Sequence, residues 1–244
     1  MEARDFSRVR LHRKAVTEQM MRILEIRNKE QQTVEILPKH LARIKEYLKG
    51  LDLIIECPIT NGDAGLEKEE RVIFTQPGMR YCQAQALVYS LMKDDTFSQL
   101  SDDERTYITE RILEEVRGRM LEDIILLETM KALWKDYDVF KLQFAAGEYD
   151  MVVYGKNRQG CAAYEVKHSD KCVAEQARHL RNKEMLSGIS PRFGTLKGRY
   201  VLYLGENQDS GDGIAYRNAE EYLKNLPNFE LSSGLEEKGQ QPTT

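Results

Sequence analysis

Two strand-like runs that flank a short polar turn constrain the fold of this chain more than any other feature. The runs are residues 149–154 (YDMVVY) and 161–167 (CAAYEVK), and Gly155 and Gly160 bound the turn. Short β-prone runs separated by such a turn are typical of an antiparallel β-hairpin. Because the turn sets the register of a hairpin, it also predicts which side chains of the two strands face each other.

The predicted register gathers polar side chains on one face of the hairpin. A turn centred on its two middle residues places Asp150 opposite Glu165 and Glu148 opposite Lys167. Side chains alternate between the two faces of a strand, so these four share one face. The register also pairs Tyr154 with Cys161 and Val152 with Ala163, and it leaves Met151, Val153, Ala162 and Val166 on the other, apolar face.

Two carboxylates and an amine from neighbouring strands are typical of a site for a hard divalent cation and a phosphate. The candidates are Asp150, Glu165 and Lys167. The alternative interpretation is that these residues form ordinary cross-strand ion pairs on a solvated surface, which contribute little to stability. The hairpin alone leaves both interpretations open.

Composition indicates a folded protein with room for two domains. The chain has 244 residues, of which 41% are hydrophobic, and its four cysteines lack CxxC spacing. This pattern favours reduced thiols over a zinc site or a disulfide framework. No apolar run reaches membrane-spanning length, and the first residues lack the apolar stretch of a secretion signal. We therefore expect a cytoplasmic protein that does not bind a membrane.

The charges are unevenly distributed along the chain. The net charge is −4, but residues 1–50 carry more Arg and Lys than Asp and Glu, and the stretch 94–128 is strongly acidic. Such asymmetry is compatible with a basic surface that faces DNA beside an acidic metal site.

The first part of the chain has the element order of a winged helix. Hydrophobic periodicity predicts a helix over 5–27, and Pro38 and Gly50 are suitable as the start and stop of a second helix. Strands are predicted over 53–58 and 71–75, with the polar residues 61–70 as the wing. The second helix would meet DNA, and its candidate phosphate contacts are Arg43, Lys45 and Lys49.

The remainder reads as alternating helices and strands. Ser101 and Glu104 form a capping box that begins a long helix reaching about Trp134. Other predicted helices cover 77–92, 173–186 and 217–226, and other predicted strands cover 139–144, 199–204 and 214–216. A Gly/Pro/Ser-rich loop is expected after Leu186, and a disordered polar tail over 232–244. The sequence has no GxxxxGK[ST] phosphate loop, so ATP hydrolysis by this chain alone is not expected.

This element order resembles the PD-(D/E)XK nuclease fold. The resemblance is carried by Glu122, Asp150, Gln176 and the ExK triplet 165–167. More narrowly, residues 48–226 look like the C-terminal part of prokaryotic AAA-type ATPases, in which a P-loop domain precedes a winged helix and a nuclease-like domain. The matching pieces are YLKGLDLI, GRMLEDIILLE, GEYDMVV and YEVKHSD, whereas the ATPase domain itself is absent from this sequence.

The resemblance implies an α/β fold (α+β overall) in two domains. A helical, winged-helix domain would span 1–92, and a restriction-endonuclease-like α/β domain with a central mixed sheet would span 93–231. The chain would be a metal-dependent nuclease that hydrolyses DNA phosphodiester bonds with a metal-activated water.

The resemblance also assigns roles to five residues. Mg²⁺ (or Mn²⁺) would be held by Asp150 and Glu165, with Glu122 reaching it from the preceding helix. Lys167 would orient the water or stabilise developing negative charge, and Gln176 would position Lys167, the water or the strand being cut. His179, three residues further along the same predicted helix, is a weaker candidate for approaching a phosphate.

Two other functions fit the same pattern. One is a nuclease-fold module that no longer cuts and instead binds DNA or serves assembly, related to the C-terminal part of an AAA-type ATPase. The other is a transcription regulator whose winged helix is the working part. An ATPase partner acting in trans, a missing fused ATPase domain and a homo-oligomer are all left open.

Overall fold

The computed structural model describes residues 38–62, 69–97, 99–157 and 160–231. The helix predicted over 5–27, most of the predicted wing and the tail 232–244 lie outside the described residues. The described helices and strands alternate along the chain. The α-helices are α1 (Pro38–Gly50), α2 (Gly78–Leu91), α3 (Asp102–Leu133), α4 (Arg178–Arg181), α5 (Lys183–Phe193) and α6 (Ala219–Asn225). The strands are β1 (Ile54–Asn61), β2 (Glu69–Phe74), β3 (Tyr137–Phe144), β4 (Gly147–Gly155), β5 (Cys161–Val166), β6 (Leu196–Tyr203), β7 (Gln208–Asp209) and β8 (Ile214–Asn218).

The eight strands form one mixed sheet in the order β2-β1-β3-β4-β5-β6-β8-β7. The pairs β1–β3, β5–β6 and β6–β8 are parallel, and the remaining neighbours are antiparallel. Together with the six helices, this sheet confirms the expected α/β class with a central mixed sheet.

The first two strands do not stand apart from the rest of the sheet. β1 and β2 pair antiparallel, as expected for the strands on either side of a wing, but β1 also pairs in parallel with β3. The parallel pairing joins Ile59 to Lys141 and Asn61 to Gln143. Because β3 satisfies backbone groups along an edge of β1, the sheet continues across the expected domain boundary at residue 92.

Both faces of the sheet are covered, so the core has two halves. One half packs Leu180 of α4 and Met185 and Ile189 of α5 against the central strands. The other half packs α3 and α6 against the opposite face. The second half contains all four residues that the hairpin register placed on the apolar face, namely Met151, Val153, Ala162 and Val166.

The hairpin register and the start of the long helix match their predictions. β4 and β5 pair Tyr154 with Cys161 and Val152 with Ala163. The Ser101 hydroxyl accepts a hydrogen bond from the backbone N–H of Glu104, whose carboxylate accepts one from the backbone of Ser101. The capping box is therefore confirmed, and α3 runs without a break from Asp102 to Leu133.

The helix predicted over 173–186 is wrong in its boundaries. The chain forms a 3₁₀ turn (Ala174–Ala177), the single turn α4, and then α5, which continues through Pro191 into the expected loop. The Asn182 side chain accepts hydrogen bonds from the N–H groups of Glu184 and Met185. This cap begins a new helix where the periodic pattern suggested a continuous one. Within the described part of the chain, no helix is both long enough and apolar enough to cross a bilayer.

Candidate active site

Two adjacent strands place two carboxylates inside the sheet. Asp150 of β4 is 7% exposed and Glu165 of β5 is 2% exposed. The Asp150 Oδ2 atom accepts a hydrogen bond of 2.9 Å from the backbone N–H of Val166. Ionised carboxylates are rarely buried without partners, so cationic side chains are expected beside these two.

Lys167 lies immediately after β5 and contacts both carboxylates. Its Nζ atom donates to Glu165 Oε2 at 2.7 Å and to Asp150 Oδ2 at 3.4 Å. Burial lowers the pKa of Lys167, but the negative charges of Asp150 and Glu165 outweigh this effect and raise the pKa above its ordinary value. The structure therefore brings the predicted trio together, with Lys167 as an ammonium ion.

A second lysine that the sequence reasoning missed lies on the other side of Asp150. Lys141 of β3 is 3% exposed, and its Nζ atom is 3.7 Å from Asp150 Oδ1. It donates to Glu148 Oε1 at 3.3 Å, so Glu148, expected opposite Lys167, is instead bound to Lys141. The sequence signal for this residue was one charged side chain in the mainly apolar run VFKLQF, where Gln143 is the other polar residue.

A β-bulge gives Lys141 its place in the site. The β3–β4 register pairs Phe140 with Val152 and Leu142 with Tyr149, so two residues of β4, Asp150 and Met151, lie opposite Lys141 alone. Bulges of this kind redirect side chains and are frequent beside functional sites.

Glu122 reaches this cluster from α3. Its Oε2 atom lies 3.7 Å from Lys141 Nζ and 3.6 Å from Arg71 Nη1 of β2. Burial, followed by the negative charge of Asp150, raises the pKa of Glu122. The neighbouring Asp123 is buried in ion pairs with Arg71 and Arg80, which ties α3 to β2 and α2.

Of the two residues considered on the following helical segment, His179 contacts the site. Its Nδ1 atom is 3.2 Å from Glu165 Oε1, and this hydrogen bond raises the pKa of His179. Gln176 instead donates to Lys171 O and accepts from the N–H of Val173. No hydrogen bond between Gln176 and the trio occurs among the described residues, because the amide is used by its own turn.

Burial and neighbouring charges also act on Glu165. Burial raises its pKa, the hydrogen bond from His179 lowers it, and the charge of Asp150 raises it again, with a net upward shift. The ionised form of Glu165 therefore needs the cations that surround it.

The donor set fits a hard cation that takes part of its ligands from water and substrate. Within the described residue ranges, no three or more His, Cys, Asp or Glu side chains are arranged as a complete metal-binding group. Asp150 and Glu165 nevertheless both lie within 3.4 Å of the same ammonium nitrogen, so their oxygens converge on one cation position. Mg²⁺ is commonly bound through one or two carboxylates together with waters and phosphate oxygens.

The site opens into a groove of about 290 Å³ between α3 and the sheet. Arg111, Arg119 and Glu122 line it from α3, and Glu148 and Lys167 line it from the sheet side. A ligand in this groove can therefore reach Lys167 directly.

The candidate DNA contacts on α1 differ in whether a carboxylate neutralises their positive charge. Lys45 and Lys49 both pair with Glu56 of β1, at 3.2 Å and 2.5 Å, whereas Arg43 is exposed. The helix buries none of its residues. Only part of its positive charge is thus available to a phosphate backbone.

No protein-family model matches this chain, and no curated protein matches it either.

Proposed function

We propose that this protein is a metal-dependent nuclease that hydrolyses phosphodiester bonds. One observation carries the proposal: two buried carboxylates on adjacent strands, Asp150 and Glu165, converge on the Lys167 ammonium, which lines an open groove. Carboxylates of this kind and a lysine are the side chains that phosphodiester hydrolysis with a hard cation requires. DNA as the substrate, and an ATPase as a partner, rest on the resemblance to PD-(D/E)XK proteins alone.

The side chains have separate tasks in this proposal. Asp150 and Glu165 hold the cation, and Val166 fixes Asp150 through its N–H group. A bound Mg²⁺ would neutralise charge on the phosphate and lower the pKa of a water molecule. Lys167 remains protonated because its pKa is raised, so it stabilises negative charge on the phosphate oxygens rather than accepting a proton. His179 holds the outer oxygen of Glu165 and keeps that carboxylate in place.

Cleavage assays test the proposal. Purified protein is incubated with plasmid DNA, single-stranded DNA and RNA in Mg²⁺, Mn²⁺ or EDTA. We expect cleavage only with metal, and its loss in Asp150→Ala and Lys167→Ala. Glu128→Gln, an exposed change on α3, is the matched control and should cleave like the wild type. Metal-independent cleavage would contradict the proposal. Cleavage by the Asp150 and Lys167 variants at the wild-type level would contradict it as well.

A second candidate function is an inactive nuclease-fold module that binds DNA or takes part in assembly. It is favoured by the ion pairs, since Glu122, Asp150 and Glu165 each already have a cationic partner. A network of this kind can serve a purely structural purpose. The two candidates differ in their response to metal: the nuclease should be stabilised against thermal unfolding by Mn²⁺, whereas a structural ion-pair network should show no such shift.

A further inference from the structure

Lys141 occupies an unusual environment for a lysine. Its side chain is 4% exposed, and its neighbours in the sequence, Phe140 and Leu142, are both buried. An ammonium ion is buried at this depth only when nearby negative charges compensate for the lost water. The feature to explain is therefore the cluster of carboxylates that surrounds it.

Three carboxylates from two elements surround the Lys141 ammonium. Glu148 and Asp150 come from β4, and Glu122 comes from α3, at distances between 3.3 and 3.7 Å from Nζ. These are hard oxygen donors around one positive charge, which is also the environment of a bound divalent cation. Lysine provides a compact charge with three donors in the same place.

Asp150 is shared between two cation positions. Its Oδ1 atom faces Lys141, and its Oδ2 atom faces Lys167. Glu122 lies on the Lys141 side and Glu165 lies on the Lys167 side. A shared carboxylate between two flanking carboxylates is the arrangement of a two-metal phosphodiesterase site, whose ions lie about 3.5–4 Å apart.

The two lysines differ in how readily they can leave their positions. The Lys167 side chain is 32% exposed at the groove, whereas the Lys141 side chain is 4% exposed. Lys167 can turn toward solvent or a substrate phosphate and free both of its carboxylates. Lys141 would have to carry its charge through a packed interior to do the same.

We infer that Lys141 permanently replaces the second metal ion, so that the site binds a single divalent cation between Asp150 and Glu165. Glu122 is then the partner of Lys141 and not a metal ligand. The inference rests on the proposed metal-dependent function, and it changes the role that the resemblance gave to Glu122. It adds Lys141 as a positioning residue that holds Asp150 for the cation.

Counting bound Mn²⁺ tests the inference without any activity measurement. Titrations of the full chain followed by electron paramagnetic resonance should give one Mn²⁺ per wild-type chain. Lys141→Met removes the charge and keeps most of the volume, so this variant should bind two Mn²⁺ with spin coupling between them. The double variant Lys141→Met/Glu122→Gln should return to one. Lys224→Met, an exposed change on α6, is the control and should also bind one.

Each outcome of the count bears on one claim. Two Mn²⁺ in the wild type, a measurement that needs no variant, would overturn the inference and leave the nuclease proposal intact. A single Mn²⁺ in Lys141→Met would also overturn it, provided that circular dichroism shows the variant folded. No Mn²⁺ in the wild type would overturn the metal site itself, and with it the proposed function.

Discussion

The centre of the sheet and the surface helix α1 use the same Lys–Glu pairing in two environments. Lys167 lies 2.7 Å from Glu165, and Lys45 lies 3.2 Å from Glu56. Burial raises the pKa of Glu165, whereas the hydrogen bond from Lys49 lowers the pKa of Glu56. Ionisation is therefore costly at the centre and favourable at the surface. The location of the central pair makes it a poor source of stability, and the proposed chemistry would give this pair a role.

The largest expected difference between the two regions is in catalysis. In the proposed nuclease, Lys167→Met should lower kcat by at least about 100-fold, because it would remove a charge that stabilises the transition state. In the same protein, Lys49→Met should raise KM for a nucleic acid substrate only slightly and leave kcat unchanged, because Glu56 already neutralises part of the Lys49 charge. Steady-state kinetics on a fluorogenic oligonucleotide separate the two parameters. A selective effect of Lys167→Met on KM would place this lysine in binding alone.

A smaller difference is expected in stability without metal. Glu165→Gln should stabilise the protein by on the order of 1 kcal/mol near pH 8, because it removes a buried charge while Lys167 can turn to solvent. Glu56→Gln should weaken the protein slightly, because it removes a favourable surface pair. Urea unfolding in EDTA measures both. A loss of several kcal/mol in Glu165→Gln would show that the central ion pairs are structural and would favour the inactive module.

The pH dependence of these two variants should have opposite signs. Glu165 has a raised pKa in the folded state, so its contribution to stability is present below its ordinary value of 4.5 and is lost as the pH rises through the folded-state pKa. The benefit of Glu165→Gln should thus develop as the pH rises. Glu56 has a lowered pKa, so its contribution is present above 4.5 and is lost as the pH falls. Unfolding curves between pH 3 and 8 should show the two trends, and trends of the same sign would remove the distinction between the regions.

The smallest expected effect concerns the salt dependence of nucleic acid binding by α1. Arg43→Met should reduce the slope of log K against log salt by roughly one, as expected for the loss of one phosphate contact. Lys45→Met should reduce it less, because Glu56 already neutralises part of that charge. Fluorescence anisotropy across salt concentrations measures the slopes. Affinity that is indifferent to salt would argue against phosphate contacts on this helix.

Local features of the structure could be predicted from the sequence because they depend on neighbouring residues. The Gly-bounded turn determined the pairing of Tyr154 with Cys161, and the alternation of side chains determined the apolar face of the hairpin. The Ser101 capping box likewise depends on residues within one helical turn. The helical pattern of the sequence continues through Asn182, so it does not predict the break there. The break forms because the Asn182 side chain caps a new helix.

The amino-acid sequence by itself determined the hairpin that carries Asp150, Glu165 and Lys167. Only the tertiary structure decided the surroundings of this trio. The parallel pairing of β1 with β3 joins segments far apart in the chain, and the bulge in β4 places Asp150 beside Lys141. Packing of α3 adds Glu122, and α4 brings His179 to Glu165. The turn before α4 uses the Gln176 amide for its own hydrogen bonds. These contacts depend on burial and on distant partners, which no local periodicity encodes.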